Sequence, residues 1–417
     1  MKILWLSHLI PYPPKGGVLQ RAHHMVRELA KRNQVDLLAF NQESLIAPMF
    51  RSVKDGLDEA RKELGSICRY VEFVPIHSTD GPFGQYGLAL HSLFTKDPYT
   101  IRWLNSRQYG TAVEKLVKST KYDLVHFDTV SLVRYKRMVG KTPTVLDHHN
   151  VESHMMLRRA QNETNALKKW YFKQEGKRLE RIEREFCPQF SLNVMCSQID
   201  KNRLHKITPT SRIEVIPNGV DTDFFCPHAV QDHQRSIIFV GTLNWYPNIE
   251  AVRFIAFKIW PKLKVEVPGI SVDIIGAHPP DDIRSIAAAD KRFNVHGFVD
   301  DIRSNFEQAA VYVCPIRDGG GTKLKILDAL AMQKAIVAHP IACEGIDVTD
   351  GKDVAFAEEP DDYVDLIKRL IDDNEARKNL GRNARKLAEN HYSYKKIGES
   401  MSDLYAEIAG ISTHNSV

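Results

Sequence analysis

Residues 314–332 read CPIRDGGGTKLKILDALAM, and this block constrains the chain more than any other. An apolar run suited to a buried strand (311–316, VYVCPI) ends in Gly319, Gly320 and Gly321. Behind them Leu324, Leu327, Leu330 and Ala331 fall on one helical face. The expectation is strand, glycine corner, then a helix opened by Thr322. Three missing Cβ atoms let backbone N–H groups approach a ligand, and the positive end of the helix points at the same spot. A phosphate placed there meets Lys323, one residue into the helix. Asp328, further along, is placed to accept hydrogen bonds from a sugar hydroxyl. A glycine-rich loop taken alone is more often a plain surface turn beside a solvated Lys and Asp, so the rest of the chain has to decide.

That remainder repeats one grammar. Residues 2–6 (KILWL) form a short continuous apolar run of the parallel-strand kind. The loop PYPPKGG follows, then a helical period over 18–31, then a strand at 35–40 (VDLLAF). This βαβ unit implies a right-handed crossover in a parallel sheet, with Gly16 and Gly17 ahead of the helix where its free N–H groups face the space beyond the strand ends. Further expected elements are a helix at 51–65, a strand at 70–75, a loop-rich aromatic segment at 81–99, a helix at 109–118, and strands at 123–127 and 144–147. His148 and His149 follow directly, a polar pair at a strand's C-terminal end. Residues 155–187 read as a long basic helical stretch carrying Trp170, Tyr171 and Phe172, a solvated face or a surface that touches lipid headgroups. Strands at 191–196 and 212–216 lead to PNGVDTDFFCP, where the periodicity breaks and Asn218 and Gly219 sit at a hinge. Then the grammar restarts: strand 236–240, loop GTLNWYPN, helix 249–264, strand 272–275, and onward to a last helix at about 395–408.

With 417 residues the chain is too long for one ordinary core and suits two domains of roughly 200 residues. We expect an α/β protein with an N-terminal domain over 1–216, a hinge over 217–235 and a second domain over 236–394; the last helix, about 395–410, is long enough to pack back on the first. A net charge of +5 spread over such a surface attracts phosphates mildly and does not suit a nucleic-acid binder. None of the six cysteines falls in a C-x-x-C pair, which predicts a reducing compartment without structural zinc. MKILWLSHLI runs straight into PYPPKGG and reads as a first strand, not a leader. No stretch approaches the ~20 apolar residues of a membrane span. A cytoplasmic protein, with peripheral contact on a membrane's inner face at most, is the expectation.

PPKGG, IPNGVDTDFF, FVGTLNWYPN, HGFV and the 314–332 block, in that order, resemble the family-4 glycosyltransferases over nearly the full length. The resemblance implies the GT-B fold, two Rossmann-like domains with parallel sheets facing across a cleft, and a retaining, metal-independent transfer from a nucleotide-diphosphate sugar to a glycan or polyprenyl-linked acceptor. No separate cofactor is implied. By the same resemblance His149 is the active-site histidine and Lys323 neutralises the diphosphate. Gly16, Gly17, Asn218, Gly241, Thr242, Asn244, Asp318, Gly319, Gly320, Gly321, Thr322, Leu324 and Asp328 line the donor. The chain also departs from the pattern. The family's paired glutamates fall on Gly320 and Asp328, and the basic pair usual after the second domain's first strand is missing from GTLNWYPN. Lys323 is the natural substitute, Lys325 being expected to turn away. These departures keep two alternatives open: a catalytically weak nucleotide-sugar-binding scaffold, and an epimerase of the same fold. A nicotinamide dehydrogenase is disfavoured for want of G-x-G-x-x-G after a strand with an acidic residue about 20 on, and a P-loop kinase because GGGTK lacks the Walker spacing.

Overall fold

A computed structural model of the chain describes residues 1–14, 17–78, 83–228, 235–319 and 321–411. It divides into two units, Met1–Pro217 with Ile397–Val417, and Asn218–Lys396. In the first, seven strands, β1 (Lys2–Ser7), β2 (Gln34–Asn41), β3 (Tyr70–Pro75), β4 (Leu124–Asp128), β5 (Thr144–His148), β6 (Leu192–Met195) and β7 (Ile213–Val215), form one sheet in the order β3-β2-β1-β4-β5-β6-β7. Every pairing is parallel. The apolar run of β1 explains why helices cover both faces. Ile3 and Trp5 enter one cluster with Met25, Val26 and Leu29 of the helix Gly17–Ala30, and Leu4 and Leu6 enter another with Tyr109 and Val113 of the helix Arg107–Ser119. A strand whose alternate side chains are all apolar has no face to give to water.

The second unit repeats the plan with β8 (Ser236–Val240), β9 (Ser271–Ile275), β10 (Phe293–Gly297), β11 (Val311–Cys314), β12 (Ala335–Ala338) and β13 (Ala355–Phe356), all parallel in the order β10-β9-β8-β11-β12-β13. Each sheet reverses its strand order beside its first strand, between β1 and β4 and between β8 and β11. Crevices at such reversals, beyond the carboxyl ends of the strands, are where open α/β sheets bind ligands.

The last helix, Tyr394–Ile408, buries Ile397, Met401 and Tyr405 in the cluster that holds Ile3 and Trp5. Gly398 permits this, because a Cβ there would lie 2.3 Å from the Cβ of Glu28. The Tyr405 hydroxyl meets His126 Nδ1 at 2.7 Å, and His126 stacks on Trp5 with ring centroids 3.5 Å apart. Residues just after Pro217 pack with the second unit: Val220 bridges Ser393, and Phe225 is buried in the second core.

Several local expectations need correction. The segment expected to be loop-rich contains the helix Gly84–Leu93, and the long basic stretch is two helices, Glu152–Asn162 and Ala166–Phe186. The break has a cause, since the Asn165 side chain caps the second helix by accepting from Leu167 N and Lys168 N, both at 3.1 Å. The helix expected at 249–264 starts earlier, at Tyr246 with Pro247 in its first turn, and loosens into a π turn over Ile255–Ile259. The helix Gln198–Ile207 gave no clear signal in the sequence.

Glu183, in the helix Ala166–Phe186, is fully buried and accepts from Ser153 N at 3.2 Å and from the Ser153 hydroxyl. Burial pushes its carboxyl from 4.5 up to about 7, against the opposing effect of the Ser153 donors. The folded state therefore holds this proton more tightly than the unfolded chain. The associated stability is complete below pH 4.5 and is lost as pH rises through about 7. Glu183→Gln should accordingly gain about 1–2 kcal/mol over wild type at pH 8 and almost nothing at pH 4.5. Thermal melts of both proteins at the two pH values check this; an equal difference at both would refute it.

Candidate functional site

In the second unit the glycine corner lies beyond β11, on the crevice side of the sheet. Gly319 and Gly321 have φ of +105° and +71°, a region that side chains other than glycine's rarely adopt. Gly320 lies outside the described residues. The helix begins at Leu324, not at Thr322 as expected, and Lys323 is its cap residue with φ −84° and ψ 98°. Lys323 is buried, and its ammonium donates to Gly319 O at 2.6 Å and Gly321 O at 3.0 Å. The lysine thus pins the corner from within. Beside it Thr322 Oγ1 is buried with no hydrogen-bond partner among the described residues. An unsatisfied buried hydroxyl costs free energy unless something fills the place.

Contrary to expectation, Lys325 does not turn away: its ammonium donates to Asn248 Oδ1, and Asn248 Nδ2 donates to Thr242 O at 2.8 Å. A Cβ on Gly241 would come within 2.5 Å of Lys325 Nζ. A cation therefore does reach the GTLNWYPN loop, although the loop itself has none. Burial lowers this lysine to about 8, and it raises the Asp328 carboxyl one turn on to about 7, with Lys325 opposing that rise. The same loop closes over the glycine corner. The Tyr246 hydroxyl bonds to Asp318, Asp318 also accepts from Gly319 N at 2.6 Å, and the Trp245 ring lies 3.4 Å from where a Gly319 Cβ would be. Gly241, Thr242, Asp318, Gly319, Gly321, Thr322, Lys323, Leu324 and Asp328 thus belong to one locality, and Asn244 is exposed on its rim. Asn218 is the first residue of this unit and half-buried.

In the first unit the ends of β1, β4 and β5 bring His8, Asp128 and His149 together. Asp128 is buried; Oδ1 lies 2.8 Å from His149 Nε2, while Oδ2 lies 3.1 Å from His8 Nδ1 and accepts from Ser7 Oγ at 3.0 Å. Burial disfavours the charged imidazole of His149, but the Asp128 carboxylate outweighs it and raises the ring above its ordinary value. Burial likewise opposes ionisation of Asp128, and the two histidines overcome it, holding the carboxyl well below the usual range. His148 has another role: buried, bonded to Asn193 Oδ1 at 3.2 Å and lowered by burial to about 4, it is a core histidine. Glu152 sits nearby at the start of its helix, its carboxyl pushed up to about 7 by burial, with His149 opposing. Gly17 is the first residue of the helix Gly17–Ala30, and Gly16 lies outside the described residues.

Among the described residues, His8, Asp128 and His149, and also His126, Asp128 and Asp147, hold three potential metal-ligand atoms within 4.8 Å of one another. In the first group the imidazole–carboxylate distances are those of hydrogen bonds, and in the second Asp147 is bound by Arg21 at 3.0 Å. His8, Asp128, Trp245, Tyr246, Asn248 and Lys325 were not among the expected site residues. Asp128 carried the signal that singled out the histidine pair, a polar residue ending a parallel strand.

Comparison with known proteins agrees with this architecture. Residues 15–224 match the sequence model described as Glycosyltransferase Family 4, and residues 234–373 that of Glycosyl transferases group 1. An uncharacterised 44.6 kDa protein in the cps region of Klebsiella pneumoniae is 22% identical over 96% of this chain and 98% of its own length. A sucrose-phosphate synthase from Thermosynechococcus elongatus superposes with a TM-score of 0.67 at 14% identity, covering 99% of this chain and all of the other. HepE from Anabaena in complex with UDP-glucose superposes with a TM-score of 0.62 at 15% identity, over 98% and 100%. The fold is thus GT-B.

Proposed function

The chain belongs to glycosyltransferase family 4, and from that premise we propose that it is a retaining enzyme that moves a sugar from a nucleotide-diphosphate donor to a glycan or polyprenyl-linked acceptor in cell-surface polysaccharide synthesis. The observation that carries this reading is the unsatisfied Thr322 hydroxyl beside the glycine corner, with Lys323 buried next to it and the half-buried Lys325 bonded to Asn248. Together they suit a diphosphate that accepts hydrogen bonds and needs its charge neutralised. As the C1–O bond breaks, its electron pair passes to the leaving phosphate. That phosphate takes the acceptor's proton, and the acceptor oxygen bonds to C1 from the same face. The positive potential comes from the two lysines and the backbone amides, so no metal ion is required. Asp128 keeps His149 protonated and occupies Nε2, leaving Nδ1–H to donate to the sugar. Asp328 accepts from the ribose, and Gly16, Gly17 and Asn218 also contact the donor. The relative in a cps region supports the polysaccharide setting, and the UDP-glucose complex of HepE makes UDP-sugars the first donors to test. The protein works in the cytoplasm with peripheral contact on the membrane's inner face.

The test is nucleotide release from UDP-, GDP- and ADP-sugars with a panel of acceptors, with and without EDTA, and proton NMR of the product anomer. Release with retention, insensitive to EDTA, is expected. Stabilisation by UDP with no turnover on any acceptor would favour a binding scaffold, for which Gly320 in place of a signature glutamate is the motive. Sugar isomerisation without acceptor would identify an epimerase.

A further inference from the structure

The helix Gly84–Leu93 is docked by the face opposite its apolar one. Residues along a helix turn by about 100° each, so Phe83, Tyr86, Leu90 and Phe94 share an arc of about 80°. They are 75%, 77%, 61% and 82% exposed. Ser92, about 200° away from the middle of that arc, is fully buried. The contacts holding this side belong to the helix Ala166–Phe186. The Tyr171 hydroxyl bonds to Ser92, Arg178 Nη2 donates to Ser92 O at 2.8 Å and Asp97 O at 2.7 Å, and Glu175 accepts from Tyr99 N and Thr100 N at 3.2 and 3.0 Å. Tyr171, Glu175 and Arg178 form one stripe of their helix. Its first turn continues the apolar surface with Leu167, 79% exposed, and Trp170, 51% exposed.

Around these side chains exposed lysines dominate the charge. Lys96, Lys168, Lys169 and Lys173 are all exposed, and none has an ion-pair partner among the described residues. Three carboxylates nearby are engaged: Asp97 binds Arg134, Glu175 caps the 99–102 turn, and Glu163 accepts from Asn165 N at 2.9 Å. An exposed ridge of this size, rimmed by unpaired lysines, fits an apolar layer beneath an anionic surface.

We propose that Phe83, Tyr86, Leu90 and Phe94, with Leu167 and Trp170, insert into the headgroup region of an anionic lipid bilayer while the surrounding lysines bind its phosphates. This locates the peripheral contact of the preceding reading and rests on that part of it alone. Sugar transfer is not involved, so the test needs no donor and its failure leaves the transferase reading standing.

Vesicle co-sedimentation at 0.1 M salt compares phosphatidylglycerol/phosphatidylcholine with phosphatidylcholine alone. Wild type should bind the anionic vesicles at least about tenfold more tightly. Leu90→Glu/Phe94→Glu and Lys168→Glu/Lys169→Glu should each lose about tenfold on the anionic vesicles. All four positions are exposed, so unchanged melting temperatures control for folding. Wild-type protein left in the supernatant, variants that bind as well as wild type, or equal binding to neutral vesicles would each overturn the proposal. So would a wild-type dimer in sedimentation velocity that Leu90→Glu/Phe94→Glu dissolves, since a second copy of the chain would then cover the ridge.

Discussion

Lys323→Ala should lower turnover about a hundredfold, roughly 2.7 kcal/mol of transition-state stabilisation. Two losses combine. The ammonium at 2.6 and 3.0 Å from Gly319 O and Gly321 O ties together two glycines at positive φ. Without it those carbonyls lose their donor, and the amides lose the orientation that makes them useful to an anion. The charge itself goes too, at the place where negative charge grows on the leaving phosphate. Lys323→Gln separates the two, because its amide N–H can still donate to a carbonyl while carrying no charge. Both variants should depress kcat more than they raise KM, since the interaction strengthens as the bond breaks. A rate within about threefold of wild type, under ~1 kcal/mol, would remove Lys323 from the mechanism.

Arg21→Met should cost about 3–5 kcal/mol of stability, or a melting temperature about 10 °C lower. Arg21 is 1% exposed; it holds Asp147 by two hydrogen bonds, Nε to Oδ2 at 3.1 Å and Nη2 to Oδ1 at 3.0 Å, and it also donates to Pro217 O and Ile216 O at 3.0 Å each. Burial alone would raise the Asp147 carboxyl, but Arg21 overcomes this and lowers it. Stability from the pair is therefore present above the ordinary 3.8 and lost as pH falls below it. Removing the guanidinium leaves a buried carboxylate without its counter-charge, so Arg21→Met should also show a flatter acid limb below pH 4. Arg21→Met/Asp147→Leu should recover part of the loss, because the uncompensated charge is gone. A single variant within 1 kcal/mol of wild type, measured by urea denaturation, would contradict this account.

The two sheets were legible because their strands are buried on both faces. Runs such as KILWL and VYVC have no polar alternation, and only a covered parallel sheet accommodates them. The glycine corner could be read for a related reason, since three glycines between a strand and a helix leave little else to build. Its register could not. Whether Thr322 or Leu324 opens the helix goes with the Lys323 ammonium folding back on Gly319 O and Gly321 O, a loop geometry that the apolar spacing does not reveal. The contact of Lys325 with Asn248, 77 residues away, could not be read from the sequence either. His149 and His148 looked equivalent in the sequence and differ only because Asp128 and Asn193 approach from other strands. The helix Gly84–Leu93 was missed because its apolar residues face outward, and glycines at 84 and 87 read as loop.

The central claim is that the donor diphosphate binds at the corner beyond β11. A crystal structure of the protein with UDP tests it most directly. Diphosphate oxygens within hydrogen-bond distance of Thr322 Oγ1 and the backbone amides of residues 321–324 are the predicted result. UDP bound elsewhere, with Thr322 Oγ1 still unpartnered, would contradict it.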